Sequence, residues 1–308
     1  MKKYFVFLKD HLVQTYDLRT FIGLFILLFA LLTLNYSIDL EDYYIDKLFL
    51  KSPIRTLLYF LLQGGSFLMA MLVVDRRNEC FKNPKFWLFF FVCFGIYAFD
   101  RGFYGHLFLG KYFKASIQWP LLYFISELRS LFTIFLPFLL FYLIYDRKNI
   151  NHFYGLKRKN VDWKPYLVML AIMLPFIGLF SFTDAFQDTY PMYGRIKGFR
   201  LAEYLSVPEI WIILFYEVLY GLDFLNTELF FRGALVFIFV RFFGPSAIYP
   251  IAVTYCVCHF GKPPVEAISS FFGGYILGVI SLKSENIWGG VVLHAGIALL
   301  MELFALVF

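Results

Sequence analysis

Four ionisable side chains stand where apolar sequence would exclude them. Glu228 and Arg232 lie inside the run from Pro208 to Phe243. His259 closes the run that begins at Ile251, and His294 lies seven residues beyond Ile287 in the final run. A charge within hydrocarbon is costly and is kept where it faces a bundle interior or a functional cavity. Glu228 and Arg232 are four residues apart, so on a helix they share a face and can pair. A neutral histidine among apolar residues still needs a polar partner. One carboxylate and two imidazoles, brought from three helices into a dry cavity, suffice to activate a water molecule. General base chemistry would do this. So would a metal ion, with Glu228, His259 and His294 as ligands of Zn²⁺ and water in the open fourth position. Glu217 and Asp223 are further carboxylate candidates in the same run as Glu228. Plain structural readings compete: a neutralised ion pair, an interface histidine beside Gly261-Lys262-Pro263-Pro264, and a packed histidine at 294.

Those residues need a scaffold, and the composition says which kind. Of the 308 residues 60% are hydrophobic and only 16% charged, with 42 Phe and 22 Tyr, and the mean hydropathy is +0.69. A soluble domain is nearer a quarter charged and has no core able to hide so many aromatic rings. The expected fold is all-α, a polytopic transmembrane helical bundle of eight to ten spans. Nine apolar segments carry this expectation: Phe21 to Tyr36, Leu57 to Val74, Phe86 to Phe99, Leu131 to Tyr145, Tyr166 to Phe182, Pro208 to Phe243, Ser246 to Cys258, Ala267 to Leu282 and Ile287 to Phe308. A span needs about 20 residues, so polar neighbours must complete the shorter ones. Pro208 to Phe243 has the opposite problem. At about 1.5 Å per residue it overruns a ~30 Å core, and a break is expected at Gly221 to Thr227, where Asn226 or Thr227 would cap a new helix. Trp119-Pro120 opens either an interfacial helix or a further short span.

The net charge of +6 does not point to nucleic acid, because the basic residues fall in short runs between apolar segments. Lys2, Lys3, Lys9 and Arg19 precede the first span; Arg76, Arg77, Lys82 and Lys85 follow the second. Arg147, Lys148, Lys157, Arg158, Lys159 and Lys164 follow the fourth, whereas Ile38 to Asp46 is acidic. The alternation predicts a cytoplasmic N-terminus in a membrane of the bacterial cytoplasmic type, with a first span that is retained. The partners expected from this are membrane lipid and a membrane-associated peptide. Cys80, Cys93, Cys256 and Cys258 form no CxxC pair. Phe272 to Gly278, FGGYILG, has the small-residue spacing of close helix packing and lacks the strand context of a cofactor fingerprint.

The ordered residues of the last third carry a resemblance. Glu228-Leu229-Phe230-Phe231-Arg232-Gly233 resembles the first signature, Glu-Glu-x-x-x-Arg, of the CAAX-protease and bacteriocin-processing (CPBP, Abi-like) family of intramembrane proteases. Tyr255 followed by His259 matches the second signature, and His294 to Ala298 aligns on the last, His-x-x-x-Asn. The resemblance divides the chain into N-terminal spans with interfacial loops, 1–207, and a CAAX-protease-like core, 208–308. It implies a metallo- or glutamate-type endopeptidase acting on a membrane-associated or prenylated peptide. It gives His259 a water-activating role and Glu228 and His294 supporting ones, with Arg232 the arginine of the first signature.

Two positions depart from the family pattern. Thr227 stands where the first glutamate belongs, and a threonine hydroxyl is un-ionised at neutral pH. Ala298 stands where the asparagine belongs, an oxyanion donor of a kind worth about 3 kcal/mol in the transition state. Tyr255, Tyr275 or Arg232 would have to donate instead. Glu217, eleven residues before Glu228, is about 16 Å away along a continuous helix and would approach only if the break folded it back. Two functions therefore stand: an intramembrane endopeptidase, and a catalytically degenerate relative that binds a membrane peptide as an immunity or scaffold protein.

Overall fold

The computed structural model describes residues 2–48, 52–75, 79–157 and 161–307. Arg76, Arg77, Arg158 and Lys159 of the basic runs lie outside them. The described residues are helical or irregular, with no strand among them. Seven helical stretches are long and apolar enough to cross a membrane. One of them, Glu209–Val257, spans 49 residues and doubles back, and the shorter apolar helix Lys164–Phe180 stands beside them. The bundle is thus close to the expected eight to ten passes. Side chains such as Phe25, Phe29 and Leu179, each about two-thirds exposed or more, face outward as lipid-facing residues do. The chain is an integral membrane protein.

In chain order the helices are α1 (Lys2–Thr15), α2 (Leu18–Ile38), α3 (Ser52–Val74), α4 (Pro84–Gly102), α5 (Gln118–Ile144) and α6 (Lys164–Phe180), then α7 (Glu209–Glu228), α8 (Val236–Phe243), α9 (Ile248–Val257), α10 (Pro264–Ser284) and α11 (Trp288–Val307). Local chemistry sets their ends. Asp17 caps α2 by accepting from the Thr20 amide at 3.0 Å, and Asn83 caps α4 with Pro84 in the first turn. Trp119-Pro120 lies in the opening turn of α5, so that segment joins the fourth apolar run in one helix. The segment 183–205 folds into the short helices Asp184–Gln187, Met192–Ile196 and Phe199–Leu205.

The expected break at Gly221 to Thr227 is absent. Helix α7 runs through it and continues as a π-helical turn, Leu229–Leu235, into α8. The polar residues that suggested a cap turn sideways instead: the Ser130 hydroxyl of α5 donates to Asp223, and Asn226 donates to Ser130 at 2.7 Å. The chain reverses only after Phe243, at Gly244, whose φ is +65°.

The interior is largely aromatic. Phe67, Phe86, Phe90, Phe94, Phe230 and Phe239, drawn from α3, α4 and the 229–243 segment, form one buried cluster. Helices α9 and α10 pack closely because α10 offers glycine at the contact: a Cβ on Gly274 would sit 2.9 Å from the Tyr255 ring, and one on Gly278 3.2 Å from Ile248. All four cysteines are free thiols.

Candidate active site

Glu228 ends α7 and is fully buried. Its Oε1 lies 3.1 Å from Arg232 Nη1 and 3.1 Å from His294 Nδ1. Arg232 sits on the π-helical turn, also buried, with its guanidinium 3.8 Å from the centroid of the Tyr255 ring. That ring therefore receives a cation on its face. Gly290 is what lets α11 come so close, since a Cβ there would stand 2.4 Å from Glu228 Oε2. The crevice on that side, lined by Tyr166, Glu228, Arg232, Ser281 and Gly290, is too tight for a water molecule.

The partners assign the protons. His294 Nδ1 faces a carboxylate and so carries the hydrogen, leaving Nε2 to accept from the Tyr255 hydroxyl at 3.2 Å. His259 lies in the turn after α9, beyond the last spanning residue, Val257. Its Nδ1 donates to the Tyr255 carbonyl at 2.8 Å, which leaves a lone pair on Nε2. Burial pushes the His259 imidazole below its ordinary value, so the neutral form prevails. The Tyr255 ring stands between the imidazoles, 4.6 Å from the His259 centroid and 6.0 Å from that of His294.

The fold therefore gathers Glu228, Arg232, Tyr255, His259 and His294 from α7, the π-helical turn, α9 with its following turn, and α11. It leaves others apart. With α7 unbroken, Glu217 stays about 16 Å along the axis from Glu228 and is not folded back. Asp223 is held by Ser130. Thr227 is half-buried and Ala298 buried. Tyr275, midway along α10, is engaged elsewhere, its hydroxyl pairing with His11 Nδ1 at 2.9 Å. The carboxylate of the site, Glu228, is bonded to His294.

The arrangement of these side chains bears on whether they could hold a metal ion. Among the described residues no three His, Cys, Asp or Glu side chains stand close enough to hold one. The Glu228 carboxylate is already paired with a guanidinium, and a divalent ion there would have to displace it. As arranged, Glu228, His259 and His294 are not a ligand set.

Some residues of the site carry a signal in the sequence and others carry none. Gly289-Gly290 at the start of the last run signals a close approach of backbone to a neighbour. Ser281, whose hydroxyl donates to the Arg232 carbonyl at 2.7 Å, carries no such signal. Phe224, whose ring centroid lies 4.3 Å from that of His294, is one aromatic residue among many.

Residues 208–300 match the family model described as type II CAAX prenyl endopeptidase Rce1-like. The chain carries a CAAX-protease-family domain over its last third. The matched stretch runs from the start of α7 to the middle of α11 and includes Glu228, Arg232, Tyr255, His259 and His294. No curated protein and no solved structure matches the chain.

Proposed function

We propose that the CAAX-protease-family domain makes this chain an intramembrane endopeptidase, hydrolysing a peptide bond of a membrane-associated substrate. Residues 208–308 form the catalytic core, and 1–207 supply spans that hold it in a cytoplasmic membrane with the N-terminus on the cytoplasmic side. One observation carries the reading: His259 and His294 flank one tyrosine, each with Nδ1 committed to a protein acceptor and Nε2 left with its lone pair. His259 Nε2 takes the proton from a water molecule as its oxygen attacks the substrate carbonyl. It returns that proton to the leaving amine as the carbon–nitrogen bond breaks. The Tyr255 hydroxyl, freed from His294, donates to the oxyanion in place of the absent asparagine at 298. Glu228, neutralised by Arg232, fixes His294. No step passes through a metal ion.

Thr227 and Ala298 favour a second reading, a peptide-binding relative without turnover. Purified full-length protein in lipid nanodiscs, given a library of quenched fluorogenic peptides with and without a prenyl group, separates the two. The expected outcome is cleavage that survives chelator, falls at least about a hundredfold in His259→Ala, and rises in Thr227→Glu. Peptide binding without cleavage in wild type and Thr227→Glu alike would leave the binding reading standing.

A further inference from the structure

The N-terminal helix α1 has two faces, and the bundle uses one of them. Tyr4 and His11 are buried. The Tyr4 ring meets that of Tyr166 at the start of α6, with 5.6 Å between centroids. His11 reaches the Pro245 carbonyl and the Tyr275 hydroxyl, each at 2.9 Å, and Thr15 reaches the Tyr249 hydroxyl at 2.8 Å. These contacts fasten α1 across α10 and onto the reversal between α8 and α9. The other face is open. Lys2, Phe5, Val6, Lys9, Leu12 and Val13 recur at the three- and four-residue spacing of one helix face. All six are exposed, Phe5 by 72% and Val13 by 75%. Tyr16, in the turn that follows, is exposed as well.

That mixture suits neither water nor hydrocarbon. Phe5, Val6, Leu12 and Val13 make a patch of apolar surface that water penalises. Three lysines and an aspartate within 14 residues are too costly to keep in a membrane core. Length excludes a crossing too, since 14 residues reach about 21 Å against a core of ~30 Å. Only Tyr16 and Asp17 separate α1 from the span α2, so the helix is held at the membrane boundary. There apolar side chains enter the acyl region, while lysine stems lie along them and lift their ammonium groups to the headgroups. The charge selects the headgroup. Lys2, Lys3, Lys9 and Arg19 are exposed, and among the described residues none of them is paired with a carboxylate. Asp10 is the one acid of α1 and lies beside the row rather than in it. Asp17 is engaged in capping Thr20.

We propose that α1 lies in the headgroup layer and binds anionic phospholipid through the face that runs from Lys2 to Val13. The proposal stands apart from the peptidase reading, and so does its test. Full-length protein is placed in nanodiscs of phosphatidylcholine alone and of phosphatidylcholine mixed with phosphatidylglycerol, and hydrogen exchange is followed across residues 2–15. Lipid that binds the docked helix opposes its local opening. With three lysines at an anionic surface, exchange is expected to be at least about tenfold slower in the mixed discs. That difference should shrink as salt rises. A Lys2→Gln, Lys3→Gln, Lys9→Gln triple variant, with a wild-type Tm in phosphatidylcholine discs, should exchange at one rate in both. A Phe5→Ser, Val13→Ser double variant should exchange faster than wild type in either disc, because the apolar half of the face no longer enters the bilayer. Equal exchange of wild-type α1 in the two discs overturns the proposal, as does a difference that survives high salt or the triple variant. Wild-type exchange in the double variant also overturns it, since α1 would then face water. If the triple variant does not fold, the comparison of lipids and salt on the wild type decides.

Discussion

Arg232 and Glu228 show what can and cannot be read from residues alone. Their spacing and apolar surroundings predict an ion pair, and it forms at 3.1 Å with both partners buried. Removing one partner strands the other charge, so Arg232→Ala should lower stability by about 3–5 kcal/mol, seen as a lower Tm in detergent. Arg232→Lys keeps the charge and should recover part of that loss. A wild-type Tm in Arg232→Ala would falsify the structural role of the pair. Which histidine Glu228 reaches is not in the sequence. It depends on how far α11 advances at Gly290, which no spacing rule supplies. The tautomer of His259 is likewise legible only once the Tyr255 carbonyl is seen at 2.8 Å. Because burial lowers this imidazole's pKa, the base stays neutral well below the ordinary histidine value of about 6.5. The rate constant kcat/KM should therefore stay level from pH 8 down through 6.5, and fall only at lower pH as the base is protonated. An acid limb centred at or above 6.5 would remove His259 from the role of base.

Helix α7 and the π-helical turn that follows it mark where element-level reading succeeds and where it fails. That Pro208 to Phe243 is helical and too long for one simple span is plain from its length. The cluster of Gly221, Asp223, Asn226 and Thr227 looks like a helix break because such residues cap helices when no tertiary partner is at hand. Here Ser130 takes up Asp223 and Asn226, so the irregularity appears further on as an extra residue in the turn at Leu229–Leu235. Such bulges occur often at functional sites, and this one carries Arg232. Its tightest point is Gly233, where a Cβ would lie 2.7 Å from the Tyr154 carbonyl oxygen. A backbone atom cannot swing aside as a side-chain tip can. Gly233→Ala should lower stability by about 1–3 kcal/mol and reduce peptidase rate by displacing Arg232. Gly273, with nothing within 4 Å of a Cβ, serves as the control, and Gly273→Ala should leave Tm and rate close to wild type. Equal effects of the two substitutions would count against a packed π-helical turn.

At the scale of the whole molecule the N-terminal helices grip both ends of the segment that bears the site. At one end His11 of α1, fully buried, lies 2.9 Å from the Pro245 carbonyl and 2.9 Å from the Tyr275 hydroxyl. At the other, Asn35 of α2 donates to the Phe260 carbonyl at 3.1 Å and accepts from the Glu41 amide at 3.1 Å. The motif-bearing third of the sequence gives no hint of either contact, because pairs more than two hundred residues apart leave no local pattern. Their consequence is specific for Asn35, since Phe260 directly follows His259. Asn35→Leu leaves a buried carbonyl and a buried amide without partners, at about 1–3 kcal/mol each. It should lower Tm and, by loosening the turn that aims His259 Nε2, reduce kcat more than it raises KM. Asn35→Asp keeps the acceptor for Glu41 and loses the donor to Phe260, so it isolates the half of the clamp that bears on the site. The expected order of kcat is wild type, then Asp, then Leu, measured on folded protein at a temperature well below the Tm of all three. If kcat in both variants equals that of wild type while Tm falls, α2 stabilises the bundle without positioning His259, and the N-terminal spans have no part in the chemistry.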